Sequence, residues 1–400
     1  MRIVLLAETF SDKMGYLENT LSKYLGHLGM DVHVVTADLA PYYRLKDFAQ
    51  TYSDFNDGAE WRRPGNVKQM DGFTLHVLGH RNVLGYIRLV GLKEKLREIG
   101  PDIVQTSVAV GWLPLDAAIL KLQLGFKLFT GNTTTASVFP LATRRHHLWD
   151  PERVRVILMR TLPGFLISQL TSKCFPATID CAEVAARFLG VPRKLMKVSP
   201  LGVDTDLFFP TKTDVDKASR QELRSRFGYE DRDIVCVYSG RFTHDKKPLI
   251  LARAIDRLYE MGERFRGLFV GNGVQAEEIL ECRGCTVHPF VPVTELPGYF
   301  RSADVGVWPT QESMSMLDAA ACGLPIVVND TLRATERIEG NGLTYKLGDV
   351  DDLVRVLLSL RSAARRQELG QCGAEKMGNE FGWKEIAKRR IAEYQAAVAR

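Results

Sequence analysis

Long apolar runs are missing from this 400-residue sequence. None approaches the roughly 20 residues of a membrane-spanning helix, so an integral helical membrane protein is excluded. The opening segment Met1-Arg2-Ile3-Val4-Leu5-Leu6-Ala7 has one basic residue and too short an apolar stretch for a secretory signal. It reads as a first strand. A disulfide framework is missing too: the 7 cysteines are an odd number, and Cys236 and Cys322 sit in apolar segments. That is the usage of a reducing compartment. Charge of one sign is scarce, the net balance being +5. This suits an anionic ligand or an anionic membrane surface and is too weak to argue for nucleic acid. No Gly-x-Gly-x-x-Gly opens the first helix, which argues against a dinucleotide oxidoreductase. The expected location is the cytoplasm, free or peripheral on the inner face of a membrane.

What is present is an ordinary globular composition, 45% apolar and 25% charged. The length suits two domains of roughly 200 residues each. Short β-rich runs alternate with helical periodicity. Strands are expected at 3–7, 32–36, 103–106 and 126–130, and again at 234–239, 268–270, 287–290, 305–308 and 326–328. Leu17, Leu21, Tyr24, Leu25 and Leu28 share one helix face, which Gly29 ends; Leu89, Leu92, Leu96 and Ile99 share another. Alternation of this kind implies α/β architecture with parallel sheets covered on both faces. Two such series imply two doubly wound, Rossmann-like domains. The turn-rich stretch Val198 to Pro210 marks the boundary, giving domains 1–199 and 200–380. A last helix, Trp383 to Val398, lies in a segment 381–400 expected to pack back on the first domain. Ligands of doubly wound folds sit at the carboxyl ends of strands, and with two facing domains the cleft between them is the default site.

Four loops in such positions carry chemistry. After the strand 234–239 comes Gly240-Arg241-Phe242-Thr243-His244-Asp245-Lys246-Lys247-Pro248. Arg241, Lys246 and the N-terminus of the following helix make a diphosphate site; a solvated basic turn is the plain alternative. Gly271-Asn272-Gly273 follows the next strand, where glycines allow close backbone approach to a phosphate or base, or simply form a turn. Glu312, Ser313, Met314 and Ser315 follow the strand ending at Trp308, with Asp318 early in the next helix. The two carboxylates suit hydroxyls of a sugar and a ribose, or else cap the helix. The fourth loop, Ser11 to Glu18, follows the first strand; Gly15 opens its helix, and an ordinary strand-to-helix turn is the alternative.

In this order the four loops resemble glycosyltransferase family 4, the group 1 glycosyltransferases of GT-B fold. The resemblance covers nearly the whole chain and is densest from Pro200 to Asn341. Its marks are the Pro-x-Gly-Val-Asp stretch at Pro200 to Phe208, the Gly-Arg…Lys signature at Gly240, Arg241 and Lys246, and the Gly-x-Gly loop at 271–273. The helix Asp318-Ala-Ala-Ala-Cys-Gly-Leu-Pro325 and the late Gly340-Asn341-Gly342-Leu343 complete them.

The resemblance implies a retaining, metal-independent, hexosyltransferase-like enzyme. It would move a sugar from a nucleotide-diphosphate-sugar donor to a glycan, polysaccharide or lipid-linked acceptor. Arg241 and Lys246 would neutralise the diphosphate, Asp318 hold the ribose, Glu312 and residues 313–315 contact the sugar and phosphate, and Gly15 let the first domain close. Several positions depart from the family pattern. Five residues, not seven, separate Glu312 from Asp318, and Thr310 stands eight before Asp318. Met14-Gly15 replaces paired glycines, Lys247 replaces a common glycine, and Asn132 stands near a usual histidine as a candidate sugar or acceptor contact. The shortened spacing also fits a non-catalytic nucleotide-sugar-binding subunit of a glycan-assembly complex. Another GT-B enzyme, such as a nucleotide-sugar epimerase or a phosphorylase, is a further alternative.

Other patterns carry less. Cys282, Cys285 and His288 lack a second pair for zinc, and Asp204-Thr-Asp206 lies in the interdomain stretch. His146, His147 and Asp150 read as a polar loop. Arg144, Arg145, Arg153, Arg155 and Arg160 surround Val154, Ile157, Leu158, Leu162, Phe165 and Leu166. Such a basic, apolar helix suits either an anionic membrane surface or a core position with a solvated face.

Overall fold

The structure, a computed structural model, describes residues 1–399 apart from 46–47, 49–50, 53–59, 144–149 and 311–312. It forms two units. The first contains Met1–Pro41, Gly58–Leu201 and Trp383–Arg400; the second contains Tyr42–Asp57 and Gly202–Gly382.

The first unit is built on a seven-stranded sheet. Its strands are β1 (Arg2–Ala7), β2 (Asp31–Ala37), β3 (Val67–Met70) and β4 (Phe73–Leu78). A separate hairpin, β5 (His80–Val83) and β6 (Tyr86–Leu89), intervenes before β7 (Ile103–Thr106), β8 (Lys127–Asn132) and β9 (Thr171–Pro176). The order across the sheet is β3-β4-β2-β1-β7-β8-β9. All pairs are parallel except β3 with β4. Because β1 lies between β2 and β7, the winding reverses there, and the loop after β1 leaves the sheet at the reversal. Ile3 to Ala7 of β1 and Val34 to Ala37 of β2 are buried without alternation, as a strand covered on both faces requires.

Leu89 ends a strand, so the helix expected to include it runs only over Leu92–Ile99. Gly91, at a φ of 80°, separates the two and begins that helix. Helical spacing of leucines was the misleading signal, since Leu89 packs inward from a hairpin too polar to show a strand pattern. The last helix, Trp383–Val398, puts Trp383, Ile386 and Tyr394 into the core of this unit beside Phe129 and Phe175. Its Arg390 lies over the Phe175 ring and donates to Gln105 at 2.8 Å and Ser199 at 3.0 Å. A buried guanidinium is thereby held by carbonyl, hydroxyl and aromatic partners.

The second unit has β10 (Ile234–Ser239), β11 (Phe265–Val270), β12 (Cys285–His288), β13 (Val305–Trp308), β14 (Ile326–Asn329) and β15 (Gly342–Tyr345). They form a wholly parallel sheet in the order β12-β11-β10-β13-β14-β15. β12 begins and ends two residues earlier than the run of valine and phenylalanine suggests, because Pro289 follows His288. β10, the first strand of the unit, lies between β11 and β13, so a second topological switch point falls between β10 and β13. All six residues of β10 are buried.

Candidate functional site

The ends of β10 and β13 converge on a small cavity. Tyr238, Ser239, Gly240 and Lys246 line it from one side, and Trp308, Pro309, Thr310 and Ser313 from the other. It lies at the switch point, where doubly wound sheets bind ligands. A larger cavity, near 690 Å³, opens beside Ala303, Gly323 and Leu324, residues that lead into β13 and β14 at the other end of the strands. The loops that carry chemistry do not line it.

Arg241 and Lys246 come together on the loop after β10. The Arg241 side chain is 19% exposed and pairs with Asp245 at 3.1 Å. Burial lowers the pKa of Lys246, and the charge of Arg241 beside it lowers it further, against Asp245. Two cations thus share a partly desolvated loop, where the field favours an incoming anion. Lys247 follows at a φ of 49° and a ψ of 43° and starts the helix Pro248–Glu260. This left-handed conformation accounts for the glycine usual at the position, since a side chain there is strained.

The Gly-x-Gly loop serves the same structure from beneath. Gly240 donates its N–H to Val270 at 3.1 Å, Phe242 donates to Asn272 at 2.8 Å, and Gln275 donates back to Phe242 at 3.0 Å. A Cβ at Gly271 would overlap the carbonyl oxygen of Gly240, and one at Gly273 would lie 2.6 Å from that of Phe242. These glycines let one loop backbone lie directly on another, a contact that spacing alone did not disclose.

The loop after β13 is tied down by side chains. Thr310 donates its hydroxyl to the carbonyls of Asp245 at 3.0 Å and Lys246 at 2.9 Å. Asn329 donates to the Thr310 carbonyl, and Tyr345 to that of Pro309 at 2.7 Å. Trp308 donates its indole N–H to Ser239 O at 3.2 Å, and Ser315 donates to the same carbonyl at 3.1 Å. Ser313 and Ser315 share a hydrogen bond of 2.8 Å at the start of the helix Met314–Ala321, and the Met314 side chain packs on the core. The Ser315 hydroxyl is therefore engaged with the cavity wall. Glu312 lies outside the described residues. Asp318 is on that helix; burial raises its carboxyl well above the usual range, and the charge of Asp204 adds to the effect.

In the first unit, Gly15 is half-buried between β1 and the helix Leu17–His27. Glu18, in the first turn of that helix, is raised by burial to a pKa of about 7, against a backbone hydrogen bond that lowers it. As a sequence feature it reads only as an acid favoured by the helix dipole. Asn132 is 3% exposed, and its amide donates to Cys181 O at 2.9 Å while accepting from Thr134 N–H at 3.3 Å. Its polar atoms serve the surrounding chain.

No group of three or more metal-ligating side chains gathers among the described residues. The thiol of Cys282 faces Glu278 O, that of Cys285 faces Ala252 O, and His288 meets Pro289 and Tyr299. Sequence reading gave Tyr238 and Trp308 no part in the site, their only signal being their place at strand ends, and it noted Thr310 only as a departure from the family's carboxylate.

A sequence profile described as "Glycosyl transferases group 1" matches residues 233–362, which include the loops after β10, β11 and β13. The D-inositol 3-phosphate glycosyltransferase 1 of Catenulispora acidiphila is 27% identical over 240 residues. That match takes in 55% of this chain and 56% of the relative, so the chain spans little more than half the length of such relatives. A GDP-mannose-dependent alpha-(1-6)-phosphatidylinositol monomannoside mannosyltransferase of Mycobacterium tuberculosis is 28% identical, covering 97% of this chain and 96% of its own. Among solved structures, a sucrose-phosphate synthase of Thermosynechococcus elongatus superposes with a TM-score of 0.71 at 16% identity, covering 100% of this chain and 99% of its own. HepE of Anabaena, in complex with UDP and glucose, superposes with a TM-score of 0.70 at 15% identity, covering 99% of this chain and 100% of its own. The chain has the GT-B fold, and in sequence it resembles the group 1 glycosyltransferases of family 4.

Proposed function

We propose that this chain is a retaining, metal-independent glycosyltransferase that moves a sugar from a nucleotide-diphosphate-sugar donor to a glycan or lipid-linked acceptor. One observation carries the reading: Arg241 and Lys246 are brought together beside the cavity at the β10/β13 switch point. A departing nucleoside diphosphate would meet both cations and the N-terminus of the helix Pro248–Glu260, which lowers the barrier to its leaving. The acceptor hydroxyl attacks from the face that the leaving group vacates. Retention is drawn from the family resemblance. The similar proteins named for GDP-mannose or solved with UDP support a nucleotide sugar as donor.

Thermal shift with UDP, GDP, ADP and their common sugars, with and without magnesium, tests the donor site. A ligand that binds only the folded state raises Tm in proportion to its affinity. One nucleotide series should stabilise the protein equally with and without magnesium. Its sugar should then be transferred with the donor's anomeric configuration, read by NMR of the product. Donor binding without turnover on any acceptor would favour a non-catalytic nucleotide-sugar-binding subunit instead, and no shift with any nucleotide would refute the donor site.

A further inference from the structure

We infer that the outer face of the helical stretch 151–170 in the first unit docks on an anionic lipid bilayer. The stretch runs as Pro151–Val156, a π-helical turn Ile157–Thr161, and Leu162–Leu170. Pro163 lacks the N–H that an unbroken α-helix would use, and the wider π turn precedes it. The inner face is settled: Gly164, Ile167 and Ser168 are buried, and a Cβ at Gly164 would overlap the carbonyl of Leu189. The outer face is apolar. Leu158 is 58% exposed, Leu162 52%, Phe165 48% and Leu166 56%, recurring every three or four residues along one side.

Scattered exposed leucines need no explanation, but a continuous stripe of them does. The charges at hand decide what covers it. Residues 151–170 include Arg153, Arg155 and Arg160 against a single carboxylate, Glu152, in the first turn. Arg155 is exposed, and Arg160 lies over the Phe139 ring at 5.3 Å. An apolar stripe edged by guanidinium groups matches the two layers of an anionic interface, acyl chains within and phosphates above. A second copy would satisfy the leucines but set arginines against arginines across a twofold contact. Among the described residues no helix is long and apolar enough to cross a membrane, so this one lies on it. The inference stands independently of the transfer reaction.

Flotation of the full chain with phosphatidylcholine vesicles, with and without roughly 30% phosphatidylglycerol, tests it at low salt. The wild type should float at least about tenfold better with the anionic vesicles. Leu162→Glu with Leu166→Glu should abolish flotation, and Arg153→Gln with Arg155→Gln should weaken it on the order of fivefold per arginine. Circular dichroism and Tm identify any variant that fails to fold, in which case Leu162→Ser with Leu166→Ser takes its place. Three results would overturn the inference. They are no flotation of the wild type with anionic vesicles, flotation of the folded stripe variants equal to that of the wild type, and a dimer by light scattering that Leu162→Glu dissociates without any vesicle binding. Nucleotide-induced Tm shifts should be unchanged in all these variants, which separates this result from any failure of the donor site.

Discussion

Replacing Lys246 by methionine should move stability and binding in opposite directions. In the free protein Lys246 is a partly desolvated cation beside Arg241, and both its burial and that neighbour disfavour its charge. Methionine keeps the apolar stem, removes the ammonium and ends the repulsion, so the Tm of the free protein should stay the same or rise. Diphosphate binding should fall. A hydrogen bond to a charged group contributes about 1.5–3 kcal/mol, which corresponds to roughly 10- to 150-fold in affinity. Arg241 remains in the variant, so some binding should persist. The assay is a nucleotide titration by thermal shift or calorimetry, paired with turnover of the same donor. Turnover should fall at least about tenfold, because the charge on the leaving diphosphate grows in the transition state. A lysine with only a structural role would give the reverse: a lower Tm for the free protein and an unaltered nucleotide Kd. That result would refute the assignment of Lys246 to the diphosphate.

Lys247→Gly should raise stability by up to about 1 kcal/mol in urea denaturation, since Lys247 holds a φ of 49° that glycine adopts without strain. Gly271→Ala should lower it by at least about 1–3 kcal/mol, because the added methyl overlaps the Gly240 carbonyl and backbone must shift; nucleotide affinity should fall with it. Glu18 titrates near 7 in the fold against 4.5 as its ordinary value, so the stability it contributes is complete below about pH 4.5 and is lost as pH rises through 7. Glu18→Gln should therefore gain up to about 3 kcal/mol relative to wild type at pH 8 and little at pH 4.5, measured by denaturation at both values.

The parts of the fold legible in the sequence are those where one physical signal dominates. Continuous Val/Ile runs bounded by turn formers mark β10 and β7, because a strand buried on both faces has no polar alternation to obscure it. The last helix, Trp383–Val398, has the bounds expected of it. The polar hairpin β5–β6 and the edge strand β3 gave no such signal, since half their residues face solvent and pairing fixes their conformation. Leu89 then joined a helical pattern by accident of spacing. In the candidate site, charge and chain position singled out Arg241 and Lys246, which the structure brings together on one loop. Thr310 was invisible as an anchor, because its partners are the carbonyls of residues 64 and 65 positions away.

Thr310 also bears on what replaces the carboxylate usual eight residues before the helix acid. An acid at that position would bring a negative charge to backbone carbonyls that themselves need donors. A hydroxyl supplies the donor and leaves no charge to desolvate. The loop after β13 is thereby fastened to the backbone at Asp245 and Lys246, while Asn329 and Tyr345 donate to its own carbonyls. Such fastening holds the two strand-end loops in one arrangement before any ligand arrives, so that less ordering remains to be done on binding. The Thr310 hydroxyl thereby stiffens the loop that carries Arg241 and Lys246. If so, Thr310→Val, which keeps the shape and removes the donor, should weaken nucleotide binding without touching the nucleotide, and Thr310→Ser should restore it.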